Sequence, residues 1–212
     1  GEEKERLLGS LAHEMRTPMT VVLGYSDTLL NMKLGEREQR QAIRGIYEQA
    51  GYLQRLSAKL MELTALHQNE SISMEAQSME AVLEQVVPMA ESRWPDRRFC
   101  LETEQDFTLC GDRDLLVSLF VNLLDNGAEA SAPGQEIRVT VREEEVLIRD
   151  SGKGMTEEAL RKICEPFYRA EKSGKEGIGL GLAICEQIVC LHRGKLRFES
   201  RAGEGTTVTV SF

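Results

Sequence analysis

The chain has 212 residues, room for one large domain or two modest ones. Its 41% hydrophobic and 29% charged residues match an ordinary folded protein and exclude a collagen, a low-complexity chain or a mini-protein that needs staples. A net charge of −9 disfavours contact with a phosphate backbone, so no nucleic-acid partner is expected.

The densest apolar stretch, Leu115–Leu124, has ten residues and is interrupted by Ser118 and Asn122. A membrane span needs about twenty, so contact with a membrane is expected only through regions absent from this chain. No secretory signal opens it, and Gly1-Glu-Glu-Lys-Glu reads as a start inside a helix, with sequence expected upstream. Five cysteines, an odd number without a C-x-x-C pair, argue against a disulfide framework or a zinc site. A reducing, cytoplasmic compartment is the expectation.

Residues 1–68 balance nine basic against nine acidic side chains, which leaves the entire −9 on the remainder, together with four of the five prolines. That shift predicts two domains, 1–68 and 72–212, joined at the polar run His67–Ser71. Leu8, Leu11, Met15, Pro18, Val22, Tyr25 and Leu29 repeat at alternating spacings of three and four, as do Ile43, Ile46, Ala50, Leu53, Leu56, Leu60 and Leu63 with small departures. Such spacing predicts two helices broken at Asn31–Gly35. Val21, Leu23, Leu30, Tyr47, Tyr52 and Leu66 widen the apolar stripe beyond what one hairpin can bury. Two hairpins pairing into a four-helix bundle can bury it, so a homodimer is predicted.

In the second part, Met79–Met89 has helical spacing behind a possible N-cap, Ser78. Phe99–Thr103 and Phe107–Cys110 are candidate strands. Asp112–Ala130 is a strong helix closed by Ser131-Ala-Pro-Gly134. Ile137, Val139 and Val141 alternate, as do Val146 and Ile148, which predicts a β-hairpin. Gly179–His192 is helical again, and Lys195–Glu199 with Thr206–Phe212 makes a last hairpin. The whole is predicted as a helical hairpin followed by an α+β sandwich, a mixed sheet with helices on one face.

Several residues can carry chemistry. With Leu8 at position a of the seam, His13 falls at f, away from the buried face. Alone, such a histidine is a solvated side chain, but Glu14 follows it, Thr17 lies one turn on, and Gly9 and Thr20 leave that face uncrowded. An exposed neutral imidazole is a competent nucleophile, and a carboxylate beside it can take the proton from one ring nitrogen while the other attacks. Pro18 removes a helical hydrogen bond and favours a bend just past His13.

Asn122 and Asn126, four apart, project from one helical face, where two amide oxygens can help hold a Mg²⁺ whose other ligands are phosphate and water; a polar surface face is the plainer alternative. Asp150-Ser-Gly152-Lys-Gly154 follows a strand, and Gly177-Ile-Gly179-Leu180-Gly181 opens a helix. Glycine allows close backbone approach to phosphate or base, and a helix start offers N–H groups. The second cluster is neither a Rossmann fingerprint nor a P-loop. An Asp at a strand end can accept from an exocyclic amine such as that of adenine. Between the clusters, Glu165–Gly177 is polar and carries Arg169, Lys172 and Lys175, which reads as a lid over a polyphosphate or as an ordinary surface loop.

Taken in order, these pieces resemble the catalytic core of sensor histidine kinases of two-component signalling. Ser10-Leu-Ala-His13-Glu14-Met-Arg-Thr17-Pro18 resembles the H box, Asn122–Asn126 the N box, Asp150–Met155 the G1 box, Pro166–Arg169 the F box and Gly177–Leu182 the G2 box. The resemblance implies that His13 accepts phosphoryl with Glu14 as its acid/base partner, and that Asn122 and Asn126 position Mg²⁺ and phosphates. Asp150 would recognise the adenine amine, with Gly152 and Gly154 allowing close contact. Phe167 would anchor the lid, Arg169 with Lys172 would stabilise the γ-phosphoryl, and Gly177, Gly179, Leu180 and Gly181 would form the lid hinge and the phosphate-facing helix start.

It further implies ATP and Mg²⁺ as cofactors, the sandwich shared with gyrase and chaperone ATPases, and phosphoryl transfer to an aspartate on the receiver domain of a response regulator. Glu14-Met-Arg-Thr17 is similar to members that also dephosphorylate the regulator, with Thr17 orienting water. Gly127 stands where the family most often has Ala, and Glu129 where a cation is frequent. A hydrolytic ATPase of the gyrase type is the rival, but it places a water-activating Glu four residues before the second Asn, and here that residue is Asn122. A nucleotide-binding scaffold that has lost catalysis is the third reading, against which His13, Glu14, both Asn residues and Asp150 speak.

Overall fold

Apolar spacing resolves into two long helices and a sheet with helices on one face. In a computed structural model of the chain, residues 2–68, 72–169 and 177–212 are described. They divide into two compact units, one built on Gly1–Glu62, the other on Leu63–Lys172 with Gly179–Phe212. The division falls inside the second helix, earlier than the joint read from the sequence, and Leu63 and Leu66 on the far side of it are both buried.

The first unit is a hairpin of α1 (Glu2–Asn31) and α2 (Glu36–Gln68). The break falls where the periodicity stops, and the turn is fastened by the Gly35 N–H donating to the Glu38 carboxylate at 3.0 Å and the Gln39 side-chain amide donating to Leu34 O at 3.1 Å. Pro18 sits buried inside α1, which remains one helix. Having no N–H, it leaves the carbonyl of Glu14 without its intrahelical donor. The helices meet closely at Gly45, where the ring of Tyr25 occupies the place a side chain would take. The expected seam is only partly covered. Ala42 and Leu56 are buried, but Leu8, Leu23, Leu30, Ile43, Tyr47 and Met61 are all more than half exposed. The apolar stripe thus exceeds what one hairpin covers, as its width predicts.

The second unit holds β1 (Glu75–Ser78), α3 (Met79–Arg93), β2 (Arg98–Thr103), β3 (Thr108–Gly111), α4 (Arg113–Ala130), β4 (Glu136–Arg142), β5 (Glu145–Asp150), α5 (Glu157–Lys162), α6 (Gly181–Leu191), β6 (Lys195–Arg201) and β7 (Gly205–Ser211). The main sheet runs β2-β4-β5-β7-β6, parallel between β2 and β4 and antiparallel elsewhere, the mixed sheet expected. β1 has no counterpart in the sequence reading; it is a short strand, exposed at Glu75 and Ala76 and buried at Gln77, that pairs with β3 in a separate ribbon. Helices α3, α4 and α6 pack side by side against the sheet. Ser78, Asp112 and Thr156 cap α3, α4 and α5 by accepting from backbone N–H groups.

Alternation places inward rows across three strands. Val141–Val146–Val210 and Val139–Ile148–Val208 are apolar rows, and Ile137–Asp150–Thr206 is the third. Facing them are Leu116, Leu119, Phe120, Leu123 and Leu124 of α4, all at most 1% exposed, each contributing about 1.5–3 kcal/mol by leaving water. The β4–β5 turn is made by Glu143 and Glu144, both with positive φ (45° and 62°). Among the described residues no helix is long and apolar enough to cross a membrane.

Gly127 lies buried inside α4, and a methyl there would stand 3.6 Å from Ile137 Cγ2 and 3.8 Å from Asp150 Cβ, ordinary contact distances. Gly127→Ala should therefore stabilise the chain by about 0.5–1 kcal/mol through helix propensity. Urea denaturation checks this; a lower midpoint would show that the helix and sheet cannot accept the methyl.

Candidate functional site

Asp150 ends β5 in the middle of the third inward row, so the strand's alternation turns its carboxylate toward α4 instead of water; it is 5% exposed. Its Oδ1 accepts from the Gly152 N–H at 2.8 Å. Burial pushes its pKa up from the usual carboxylate range, opposed by the N–H groups of Gly152 and Thr206. The loop that follows passes tightly under the end of α4. The Lys153 N–H donates to Ala130 O at 3.2 Å, and a side chain at Gly152 would run into that same carbonyl. Gly154 has φ +64°, and a side chain there would strike the carbonyl of Arg201. Both glycines are thus required by close backbone approach.

Asn122 and Asn126 lie on α4. Asn122 is 8% exposed and its amide donates to Ser118 O at 2.8 Å, while its Oδ1 faces Gly181, where a methyl would come within 3.3 Å. Asn126 Nδ2 is buried without a hydrogen-bond partner. Such an orphan donor is costly unless an acceptor arrives. Helix α6 starts at Gly181 behind the fully buried Leu180, which makes no side-chain cap bond. Its first N–H groups therefore sit beside Asn122 as donors for an anion.

Phe167 has φ 65°, a costly conformation for a residue with a side chain. Its N–H donates to Gly179 O at 2.7 Å, and Gly179, with φ +75°, packs so closely that a side chain would strike Phe167. The two ends of the intervening segment are thereby clasped together. Arg169 is half-buried. Lys172 and the rest of 170–176 lie outside the described residues, and Gly177 is grouped apart from this unit. The Cys164 thiol is pushed up to about 12 by burial, with Glu186 adding to it, so it stays protonated and inert.

On the hairpin, His13 and Thr17 are exposed one turn apart, and Glu14 is half-buried. Glu14 follows His13 directly on α1. Successive helical side chains point in different directions, and the Glu14 carboxylate accepts from the Tyr52 hydroxyl of α2 at 3.0 Å. Tyr52 read as part of the apolar stripe; its hydroxyl is the missed polar feature, visible only once the helices are paired. The Trp94 indole N–H donates to Asp125 at 2.9 Å and Arg93 pairs with the same carboxylate, bracing the helix that bears both Asn residues. His192, which read as a simple helix end, is buried, with Nε2 accepting from the Asp112 N–H at 3.0 Å. His67 closes α2 as expected, its ring beside Leu63 O at 2.7 Å.

Comparison with known proteins finds two family models in this chain. "His Kinase A (phospho-acceptor) domain" matches residues 3–69, and "Histidine kinase-, DNA gyrase B-, and HSP90-like ATPase" matches residues 111–212. Sensor protein SrrB of Staphylococcus aureus, strains N315 and NCTC 8325, is 27% identical over 98% of the chain, which spans only 37% of that relative's length. Among solved structures, a mycobacterial sensor histidine kinase, MprB, is 28% identical with a TM-score of 0.59, over 65% of this chain and 95% of that one. The histidine kinase ThkA, solved in complex with the response regulator TrrA, shares the fold with a TM-score of 0.75 at 24% identity, over 98% of this chain and 63% of that one.

Asp150 supplies a pH signature. Because its folded pKa is raised, the ionised carboxylate costs the folded state near neutrality, and the cost disappears below the unfolded value. Asp150→Asn should therefore be more stable than wild type at pH 7, with the gap closing as pH falls through the carboxyl's raised range. Thermal melts across pH check it; a constant gap would mean burial is not the cause.

Proposed function

Since the chain belongs to the sensor histidine kinases, we propose that it is an autokinase core, with residues 1–68 for dimerisation and phosphotransfer and 72–212 for ATP binding. What carries this reading is His13: exposed, without a hydrogen bond among the described residues, in a chain that also folds a nucleotide-type site. A ring nitrogen of His13 attacks the γ-phosphorus of ATP. The N–P bond forms as the bond to the β,γ-bridging oxygen breaks, ADP leaves with that electron pair, and the proton on the other ring nitrogen passes to Glu14.

The second unit binds the nucleotide. The buried Asp150 carboxylate suits the adenine amine, and Gly152 and Gly154 let the base lie against backbone. The unpartnered Asn126 amide and the uncapped start of α6 at Leu180-Gly181 suit phosphate oxygens. These residues also fit Mg²⁺. Among the described residues no cluster of three or more His, Cys, Asp or Glu could hold a metal alone, so the ion would ride on the phosphates, with Asn122 and Asn126 as amide ligands. Bound there, Mg²⁺ would draw negative charge from the phosphates. Arg169, with Lys172, would stabilise charge on the transferring group, and the Phe167–Gly179 clasp would let the lid, with Gly177, move on fixed ends.

The hairpin's exposed apolar stripe supports a homodimer. The face around His13 and Thr17 would dock the receiver domain of a response regulator, to whose aspartate the phosphoryl passes. Thr17, one turn from His13, would orient water for the reverse removal of that phosphoryl. A cytoplasmic setting suits ATP and free thiols, with any membrane anchor outside this chain.

Incubation with γ-labelled ATP should give acid-labile, base-stable label on the protein, absent in His13→Ala. Released phosphate without labelled protein would indicate a hydrolytic ATPase, and nucleotide binding with neither a scaffold. Thr17→Ala should slow regulator dephosphorylation at least about tenfold with autophosphorylation kept within twofold; equal loss of both would remove the assigned role.

A further inference from the structure

His13 and Glu14 are consecutive on α1, so their side chains leave the helix in different directions. The Glu14 carboxylate turns into the hairpin and accepts from Tyr52, 38 residues away on α2, while His13 faces water. The bond is part-buried, and a hydrogen bond to a carboxylate is stronger than one between neutral groups. Tyr52 needs only its ring to help fill the hairpin; the hydroxyl adds a donor, which Glu14 accepts. While Glu14 Oε2 is engaged there, that oxygen is shared with the hydroxyl and is a weaker acceptor for the imidazole proton it is to receive. We infer that Tyr52 is a positioning residue of the autokinase step, a latch that holds Glu14 against α2 in the resting hairpin and releases it when the carboxylate moves to His13. This rests on the autokinase reading above.

The Tyr52→Phe substitution keeps the ring and removes only the donor. Initial rates of His13 phosphorylation against ATP concentration, in the whole chain, should show the maximal rate rising about threefold, the size expected for losing one modest hydrogen bond, with KM for ATP unchanged. In a Glu14→Gln background, followed over longer incubation, Tyr52→Phe should change nothing, because the latched group is already gone. A Tyr52→Phe curve that superimposes on wild type overturns the latch. So does a lower maximal rate, or the same change with and without Glu14, which would make Tyr52 a packing residue. Wild-type protein that takes no label at His13 overturns the autokinase reading, and the latch with it; label at His13 with no Tyr52 effect overturns the latch alone.

Discussion

The carbonyl of Ala130 at the end of α4 is the point on which the nucleotide-type site depends. The strand that delivers Asp150 turns directly beneath it, and the Lys153 N–H bonds to it while Gly152 slips past without a side chain. That contact fixes the end of the sheet against the end of the helix. It therefore fixes Asp150 relative to Asn126, one turn back along α4. Helix position in turn is set by the apolar rows of β4, β5 and β7 and by the Trp94 and Arg93 bonds to Asp125. Core packing and site geometry are here one constraint, because the row that carries Ile137 into the core also carries Asp150 into the site.

The site also shows where stability is given up. A carboxylate is held in a nearly closed environment, an amide donor is left without an acceptor, and Phe167 adopts a backbone conformation that a side chain disfavours. Each is unfavourable in isolation, and all three lie in the same unit. Strain and unsatisfied groups gather where binding can relieve them. The half-buried thiol of Cys164 and the buried imidazole of His192, by contrast, are settled, and they serve packing.

Much of this was legible in the sequence, for stated physical reasons. Threes-and-fours spacing located α1 and α2, and two-residue alternation located β4, β5 and β7. The possible cap at Ser78 marks the start of α3. The ordered boxes supply candidate residues, and glycine at 152, 154 and 179 is demanded by contacts that allow nothing larger. What stayed hidden depends on tertiary neighbours. β1 is only four residues long, so no period announces it. Tyr52 looked apolar because its hydroxyl finds Glu14 only across the hairpin. The pairing of Asp125 with Trp94 joins residues 31 apart, with nothing local to signal it. The division between units falls within α2, where the composition shows no break.

The bare flank of the hairpin carries a further meaning. If a second copy covers that stripe, as proposed, the folding of the hairpin is tied to encounter between chains. Its melting point should then climb with concentration and sink on dilution, while the sheet unit, closed on itself, stays indifferent. One polypeptide would hold two thermometers. The abundance of the protein, as much as any contact within it, would decide whether the stem bearing His13 stands.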